Sequence, residues 1–216
     1  MRELTGEKLE KELERLKQMR VDEDQYPNAI VCGIDEAGRG PLAGPVAAAA
    51  VILPRDCRIL YLNDSKKLSE KKRELLYDEI REKAVAYGVG IVGPDRIDEV
   101  NILQATYEAM RLAIAQLKVK PEILLNDAVT IPLVELKQIP IVKGDAKSVS
   151  IAAASILAKV TRDRMMMEYD KLFPEYGFGK HKGYGTAAHI QALKEYGACS
   201  IHRKSFIKNF VKENQV

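Results

Sequence analysis

The chain has 216 residues, 46% apolar and 30% charged, with 34 basic against 31 acidic side chains for a net charge of +3. That length suits one full-sized domain, and the balance is that of an ordinary globular protein rather than a disordered one. The longest apolar runs, around 46–53 and 149–158, fall short of the roughly 20 residues a bilayer span needs, so no membrane association is expected.

Residues 3–20 read as a helix, with Leu9, Leu13 and Leu16 at i, i+4 and i+7 among alternating charges. Pro27 and its polar neighbours break it. Residues 1–29 are therefore expected to form an N-terminal helical extension, ahead of one domain spanning 30–216 that includes the C-terminal helical part. Short apolar runs at 30–34 and 46–53, bounded by Gly and Pro, predict buried strands on either side of a Gly-rich turn at 37–44. Ser69 can cap a helix running to Lys83, and the alternation of Val85, Tyr87, Val89 and Ile91 predicts a third strand. Apolar residues every three or four positions from Ile97 to Leu117 predict one long helix over 95–117. Short strands at 122–127 and 139–142 follow, then a helix over 146–172, a Gly-rich loop at 173–185 and a helix at 186–196. Three consecutive strands imply an antiparallel meander, and the later alternation of strands and helices implies parallel additions. The fold class is α/β, a mixed sheet with helices on both faces.

Charge is uneven along the chain. Residues 1–30 hold six basic and eight acidic side chains, 31–176 hold 21 of each, and 177–216 hold seven basic against two acidic. The positive excess, which includes Lys180, Lys182, Arg203, Lys204, Lys208 and Lys212, suits a polyanionic partner as readily as a solvated surface. Three separated cysteines (Cys32, Cys57 and Cys199) argue against a disulfide scaffold or a cysteine-built zinc site and point to a reducing cytoplasm.

Asp35 and Glu36 end the first predicted strand, Asp127 ends the fourth, and Asp145 follows the fifth. Strand ends in an open α/β sheet converge on one rim. Carboxylates gathered there repel one another unless a cation neutralises them, and an all-oxygen donor set suits Mg²⁺ or Mn²⁺ rather than zinc. Any one of these acids alone reads equally well as a cap or a turn residue. Adjacent strand residues also point to opposite faces, so Asp35 and Glu36 share an ion only if the strand ends or twists between them. His181, His189 and His202 lie elsewhere in the chain, and Ser155 reads as a small packing residue within a helix. The two glycines Gly33 and Gly38 have P-loop spacing, but Arg39-Gly40 stands where Lys-Ser/Thr is required, so no nucleotide cradle is expected.

The stretch GIDEAGRGP at 33–41 resembles the signature of the bacterial ribonuclease HII family. Further similar stretches follow in the family's order: LNDSKKLS (62–69), GDAKS (144–148), SIAAASILAK (150–159) with Arg162-Asp163, GYGT (183–186) and HRKSF (202–206). The resemblance covers about 30–207. It implies an RNase H-like fold, a mixed five-stranded sheet flanked by helices with a helical C-terminal region. It also implies that Asp35, Glu36, Asp127 and Asp145 are catalytic and hold Mn²⁺ or Mg²⁺. The implied activity is cleavage of the RNA strand of RNA–DNA hybrids and cutting 5′ to a single ribonucleotide in duplex DNA. In the family, Gly38, Arg39 and Gly40 act with Tyr184 to read the RNA–DNA junction. Lys66, Lys180 and Lys182 are expected to hold phosphates, and a monomer is expected. The rivals are a ribonuclease HIII-like hybrid endonuclease, for whose larger N-terminal domain about thirty residues leave no room, a catalytically silent hybrid-binding module, and a histidine-based ribonuclease needing no metal.

Overall fold

The computed structural model describes residues 4–211, so the start of the first helix at residue 3 and Lys212 of the basic block lie outside the described residues. The chain opens with α1 (Glu7–Gln18), acidic in its first turn and basic in its last, which suits the helix dipole. A single turn, α2 (Val21–Asp24), occupies part of the expected break. Next come β1 (Val31–Ala37), β2 (Val46–Ile52), a 3₁₀ turn at Ser65–Lys67, α3 (Glu70–Lys83) and β3 (Ala86–Val92). Ser69 caps α3 by accepting a hydrogen bond from the Lys72 N–H.

The helix expected over 95–117 is two helices, α4 (Pro94–Val100) and α5 (Ile102–Ala115). Asn101 between them adopts φ 69°, and its side chain accepts from the Leu103 and Gln104 N–H groups to start α5 afresh. The apolar stripe continues across the break, and for that reason periodicity alone does not reveal it. β4 (Ile123–Asp127) and β5 (Lys137–Ile141) follow, then a 3₁₀ turn at Gly144–Ala146 and α6 (Val149–Leu172). The sixth helix begins at Val149 rather than 146 because Ser148 caps it, accepting from the Ile151 N–H at 3.1 Å. The loop expected at 173–185 contains a 3₁₀ turn at Pro174–Tyr176 and the short α7 (Phe178–His181), before α8 (Ala187–Tyr196) and α9 (Lys204–Ile207).

The strands form one five-stranded sheet in the order β3-β2-β1-β4-β5. β1, β2 and β3 pair antiparallel, whereas β4 joins β1 and β5 joins β4 in parallel, the meander with parallel additions that the element order predicts. Every residue of β2, sequence VAAAAVI, is buried. On one face Ala49 and Val51 pack with α6, α3 and the α1 residue Leu16. On the other, Ala48 and Ala50 pack with Ala105, Ala109 and Ala113 of α5. Gly33 sits on β1 where a Cβ would collide with the Ser150–Ile151 backbone, so its bare backbone lets the start of α6 lie directly on the strand.

A third cluster, including Met166, Tyr176, Phe178, Leu193 and Ile201, joins the end of α6 to α7, α8 and α9. Buried histidines run through it in one chain of hydrogen bonds. His189 Nδ1 lies 2.9 Å from the Tyr184 carbonyl oxygen, His189 Nε2 lies 3.0 Å from His202 Nε2, and His202 Nδ1 accepts from the Cys199 N–H at 3.0 Å. A carbonyl only accepts, so His189 carries its proton on Nδ1 and His202 on Nε2, and both rings are neutral. Protonating either ring would set two donors face to face. Burial lowers both imidazoles, that of His202 to about 4, with the neighbouring His189 adding to the effect.

A base whose folded pKa lies below its unfolded value stabilises the fold above the unfolded pKa, and that stability drains away as pH falls towards the folded one. Between pH 7 and pH 5 the His202 shift alone removes about 2 kcal/mol, or roughly 4–8 °C in Tm. Thermal unfolding across that range should show this loss, and the His202 Cε1–H proton resonance should stay unshifted down to pH 5. A midpoint near 6.5 for that resonance would contradict the buried neutral pair.

Candidate active site

The parallel pairing of β1 with β4 matches Gly33 to Leu125 and Ile34 to Asn126, so one further step of the register sets Asp35 beside Asp127 at the strand ends. Both follow residues that face α6, because side chains alternate along each strand. Asp145 is delivered from the other direction, by the turn after β5. Asp127 Oδ1 accepts from the Gly144 N–H at 2.7 Å and ties that turn to the end of β4. As a result one carboxylate oxygen from each of Asp35, Asp127 and Asp145 lies within 4.8 Å of the others.

Glu36 is not part of that close trio. β1 stays paired with β2 through Ala37, so the alternation of faces persists and Glu36 leaves on the side opposite Asp35. It stays within electrostatic reach of both Asp35 and Asp127. Its Oε1 lies 3.4 Å from Arg39 Nη1, and its buried Oε2 has no hydrogen-bond partner among the described residues.

The crowding shows in the acidities. Burial, then the charges of Glu36 and Asp127, raises Asp35 well above the usual carboxylate range, against hydrogen bonds from Ser155 and the Glu36 N–H. Burial likewise raises Glu36, with Arg39 and Lys66 opposing. Asp145 is pushed up to about 6 by burial and by the neighbouring Asp64 and Asp127. A site that protonates its own carboxylates calls for a cation, and an unpartnered buried carboxylate oxygen is a free ligand position. The donors are all hard oxygens, so the residues present fit a divalent Mg²⁺ or Mn²⁺ ion.

Three neighbours of the trio escape a reading of the sequence alone. Ser155 is not merely a packing residue. It hydrogen-bonds Asp35 and lies 2.9 Å from the Ser65 hydroxyl. Asp64 stands against Asp145 and also accepts from the Lys66 N–H. Asp64, Ser65 and Ser155 all fall inside motif stretches, but only the packing of the Ser65–Lys67 turn on α6 shows what they touch.

The other expected site residues divide. Gly38, with φ 96°, turns the chain after β1, and Arg39 and Gly40 are exposed beside the acids. Tyr184 is 43% exposed, and a Cβ on Gly40 would stand 3.8 Å from its ring. The turn and the tyrosine are therefore neighbours, 144 residues apart in the chain. Lys66 is exposed and faces both Glu36 and Asp145. Lys180 is exposed on α7, whereas Lys182 Nζ folds back to the Gly179 carbonyl oxygen at 2.5 Å. Arg203, counted with the basic block, is fully buried and so offers no surface charge. The three histidines lie together beneath Tyr184 and contribute nothing to the carboxylate trio.

Comparison with known proteins agrees with this geometry. The family model described as Ribonuclease HII matches residues 32–209. A Ribonuclease HII from Lachnoclostridium phytofermentans is 67% identical over 204 residues, covering 94% of this chain and 80% of that protein. One from Acetivibrio thermocellus is 58% identical, covering 94% and 81%. Among solved structures, the ribonuclease H2 of Pyrococcus horikoshii OT3 superposes with a TM-score of 0.69 at 31% identity, over 81% of this chain and 92% of that one. A Bst-RNase HIII solved in complex with Mn²⁺ shares the fold, with a TM-score of 0.62 at 17% identity over 80% and 63% of the two chains. With a match across most of its length and close relatives of one name, the chain belongs to the ribonuclease HII family.

Proposed function

We propose that the protein is a divalent-metal-dependent endoribonuclease that cuts the RNA strand of RNA–DNA hybrids and also cuts 5′ to a single ribonucleotide in duplex DNA. Membership of the family supports endoribonuclease activity on RNA–DNA hybrids and use of a divalent cation. The observation that carries the finer reading is the placement of the Asp35–Asp127–Asp145 trio beside a Gly-Arg-Gly turn whose Arg39 and Gly40 are exposed and whose Gly40 lies near Tyr184.

Hydrolysis transfers a phosphoryl group from the 3′-oxygen of the preceding nucleotide to water, leaving a 3′-hydroxyl and a 5′-phosphate on the ribonucleotide. The 2′-hydroxyl of that ribonucleotide neighbours its own 3′-phosphate and not the bond being cut, so it is free to serve recognition. Asp35, Asp127 and Asp145 are the residues that would hold Mn²⁺ or Mg²⁺, and the longer side chain of Glu36, whose buried Oε2 is unpartnered among the described residues, would add a ligand position from the adjoining face. A cation bound there supplies activation of the attacking water and neutralises charge on the leaving oxygen. Ser155 holds Asp35, and the Gly144 N–H holds Asp127, in place for this. No side-chain nucleophile is needed, and the buried neutral histidines take no part in proton transfer.

Arg39 and Gly40, turned outward after the buried Gly38, present exposed backbone, so a ribose can approach closely. Tyr184 offers a ring on which the next sugar can rest, where a 2′-hydroxyl would crowd it. Lys66, at the edge of the acids, suits the phosphate at the cut, and Lys180 and Lys182 suit phosphates farther along. The chain acts as a monomer in the cytoplasm.

A labelled duplex with one embedded ribonucleotide should be cut once, immediately 5′ of it, with Mg²⁺ or Mn²⁺. It should stay intact in EDTA, as should an all-DNA control. Cutting of long hybrids alone would favour the HIII-like rival, and activity surviving EDTA would favour a histidine-based enzyme. Asp127→Asn should lower cleavage by more than about 100-fold, beyond what loss of an outer partner costs, while hybrid binding in a gel-shift assay persists. Tyr184→Ala should weaken cutting at the single ribonucleotide about tenfold or more, in line with ~1–3 kcal/mol of lost stacking, and spare cutting within long hybrids.

A further inference from the structure

Arg162 and Arg203 are among the largest fully buried side chains, 1% and 0% exposed. Among the described residues neither has a carboxylate within 4.0 Å. Burial lowers both guanidinium groups, that of Arg203 to about 9, and in Arg203 the nearby Arg162 charge adds to the effect. Two buried like charges without acid partners are costly, and apolar side chains of similar volume would often serve stability as well or better. Stability therefore does not explain them. Their hydrogen bonds do.

Arg162, on α6, donates from Nε to the Pro45 carbonyl at 2.8 Å, from Nη2 to Ala43 at 3.1 Å and from Nη1 to Lys182 at 2.9 Å. Arg203 donates from Nε to Gly44 at 3.0 Å, from Nη1 to Arg39 at 2.9 Å and from Nη2 to Gly38 at 2.6 Å. Five of the six acceptors belong to the segment 38–45 that carries the Gly-Arg-Gly turn, and the sixth lies two residues before Tyr184. A further bond, from the Leu42 N–H to the Gly183 carbonyl at 2.8 Å, joins the same two segments. A guanidinium is a flat fork with fixed donor directions, so it sets the spacing of the carbonyls it holds in a way a lysine cannot. Peptides are planar and trans, so drawing the Gly38 and Arg39 carbonyls inward turns the Arg39 and Gly40 N–H groups outward. The space around the forks is filled. A Cβ on Gly38 would collide with the Arg162 side chain, and one on Gly183 with the Ala43 backbone.

We infer that Arg162 and Arg203 are positioning residues for ribonucleotide specificity, locking the Gly38–Gly40 turn and the Tyr184 loop at one spacing so that the pair measures a single sugar step. The inference rests on the proposed junction reading by that turn and that tyrosine. The two guanidinium groups touch no substrate. They act by holding the groups that do.

The test compares cleavage of a duplex bearing one ribonucleotide with cleavage inside a long hybrid, in the full chain and in its Arg162→Lys, Arg203→Lys, Gly183→Ala and Tyr184→Ala variants. Lysine keeps the charge and loses the fork. Gly183→Ala keeps both arginines and forces the loops apart. In each of these three the single-ribonucleotide rate should fall about 10–100-fold relative to the long-hybrid rate, the usual cost of a misplacement near 1 Å. Mn²⁺ binding to the carboxylates, followed by calorimetry, should not change. Arg162→Lys added to Tyr184→Ala should lower the ratio little further, because both act through one ring. A merely structural role would lower both rates together, and that outcome overturns the inference. An unchanged ratio in folded Gly183→Ala overturns it too, as does loss of the fold in all three variants, since the arginines would then be a folding requirement. If Tyr184→Ala itself leaves the ratio unchanged, the junction reading fails first.

Discussion

Repulsion among carboxylates confined at the end of a parallel strand pair is the constraint on which the rest of this molecule depends. The β1–β4 register sets Asp35 against Asp127, and the turn closed by the Asp127–Gly144 bond adds Asp145. Left alone, such a cluster answers by taking up protons, and the raised pKa values of Asp35, Glu36 and Asp145 record this. The surrounding structure keeps the charges together. The fully buried β2 and the close approach of α6 at Gly33 make the strand ends rigid, and Ser155 on α6 reaches Asp35 from the helix side. Charge on this rim is thus a stored demand for a cation, met in the proposed reaction at the scissile phosphate.

The C-terminal third answers a different need. Its core buries two histidines, two arginines and an aromatic cluster, with His181 half-buried beside them, an unusual choice for a layer that could have been apolar. Each of these polar groups ends on the backbone of a short loop. His189 meets the Tyr184 carbonyl, His181 accepts from the Gly183 N–H, and the arginines take the carbonyls of 38–45 and 182. Buried polar networks specify geometry more than they add stability, because each partner has one direction in which it is satisfied. In the proposed function the carboxylate rim supplies chemistry, and in the inferred positioning role this layer supplies the rigidity for discriminating between sugars.

Much of this was legible in the chain. The antiparallel-then-parallel pairing, the strand-end positions of Asp35 and Asp127 and the place of Asp145 just after a strand follow from apolar runs and their punctuation, since burial of a sheet leaves a period in the sequence. The break at Asn101 was not legible, because a single residue at φ 69° does not interrupt an apolar stripe. The separation of Glu36 from the trio depended on whether β1 twists before Ala37, and backbone pairing with β2 settles that. Ser155, Asp64 and Ser65 were invisible because their meaning lies in contacts across roughly ninety residues, as in the Ser65–Ser155 pair.

The sequence by itself determined the layers, the acids on the rim and, through its motifs, the family. Local spacing and residue chemistry suffice for these, since each is expressed within one element. Tertiary structure alone decided which cations are solvated and which are buried. Arg203 reads as one more positive charge in a basic tail, and only the closure of the C-terminal layer over residues 38–45 withdraws it from water and turns it into a hinge pin for the backbone. Composition counts charges, but desolvation and hydrogen-bond direction assign their work, and both come into being only when distant segments pack.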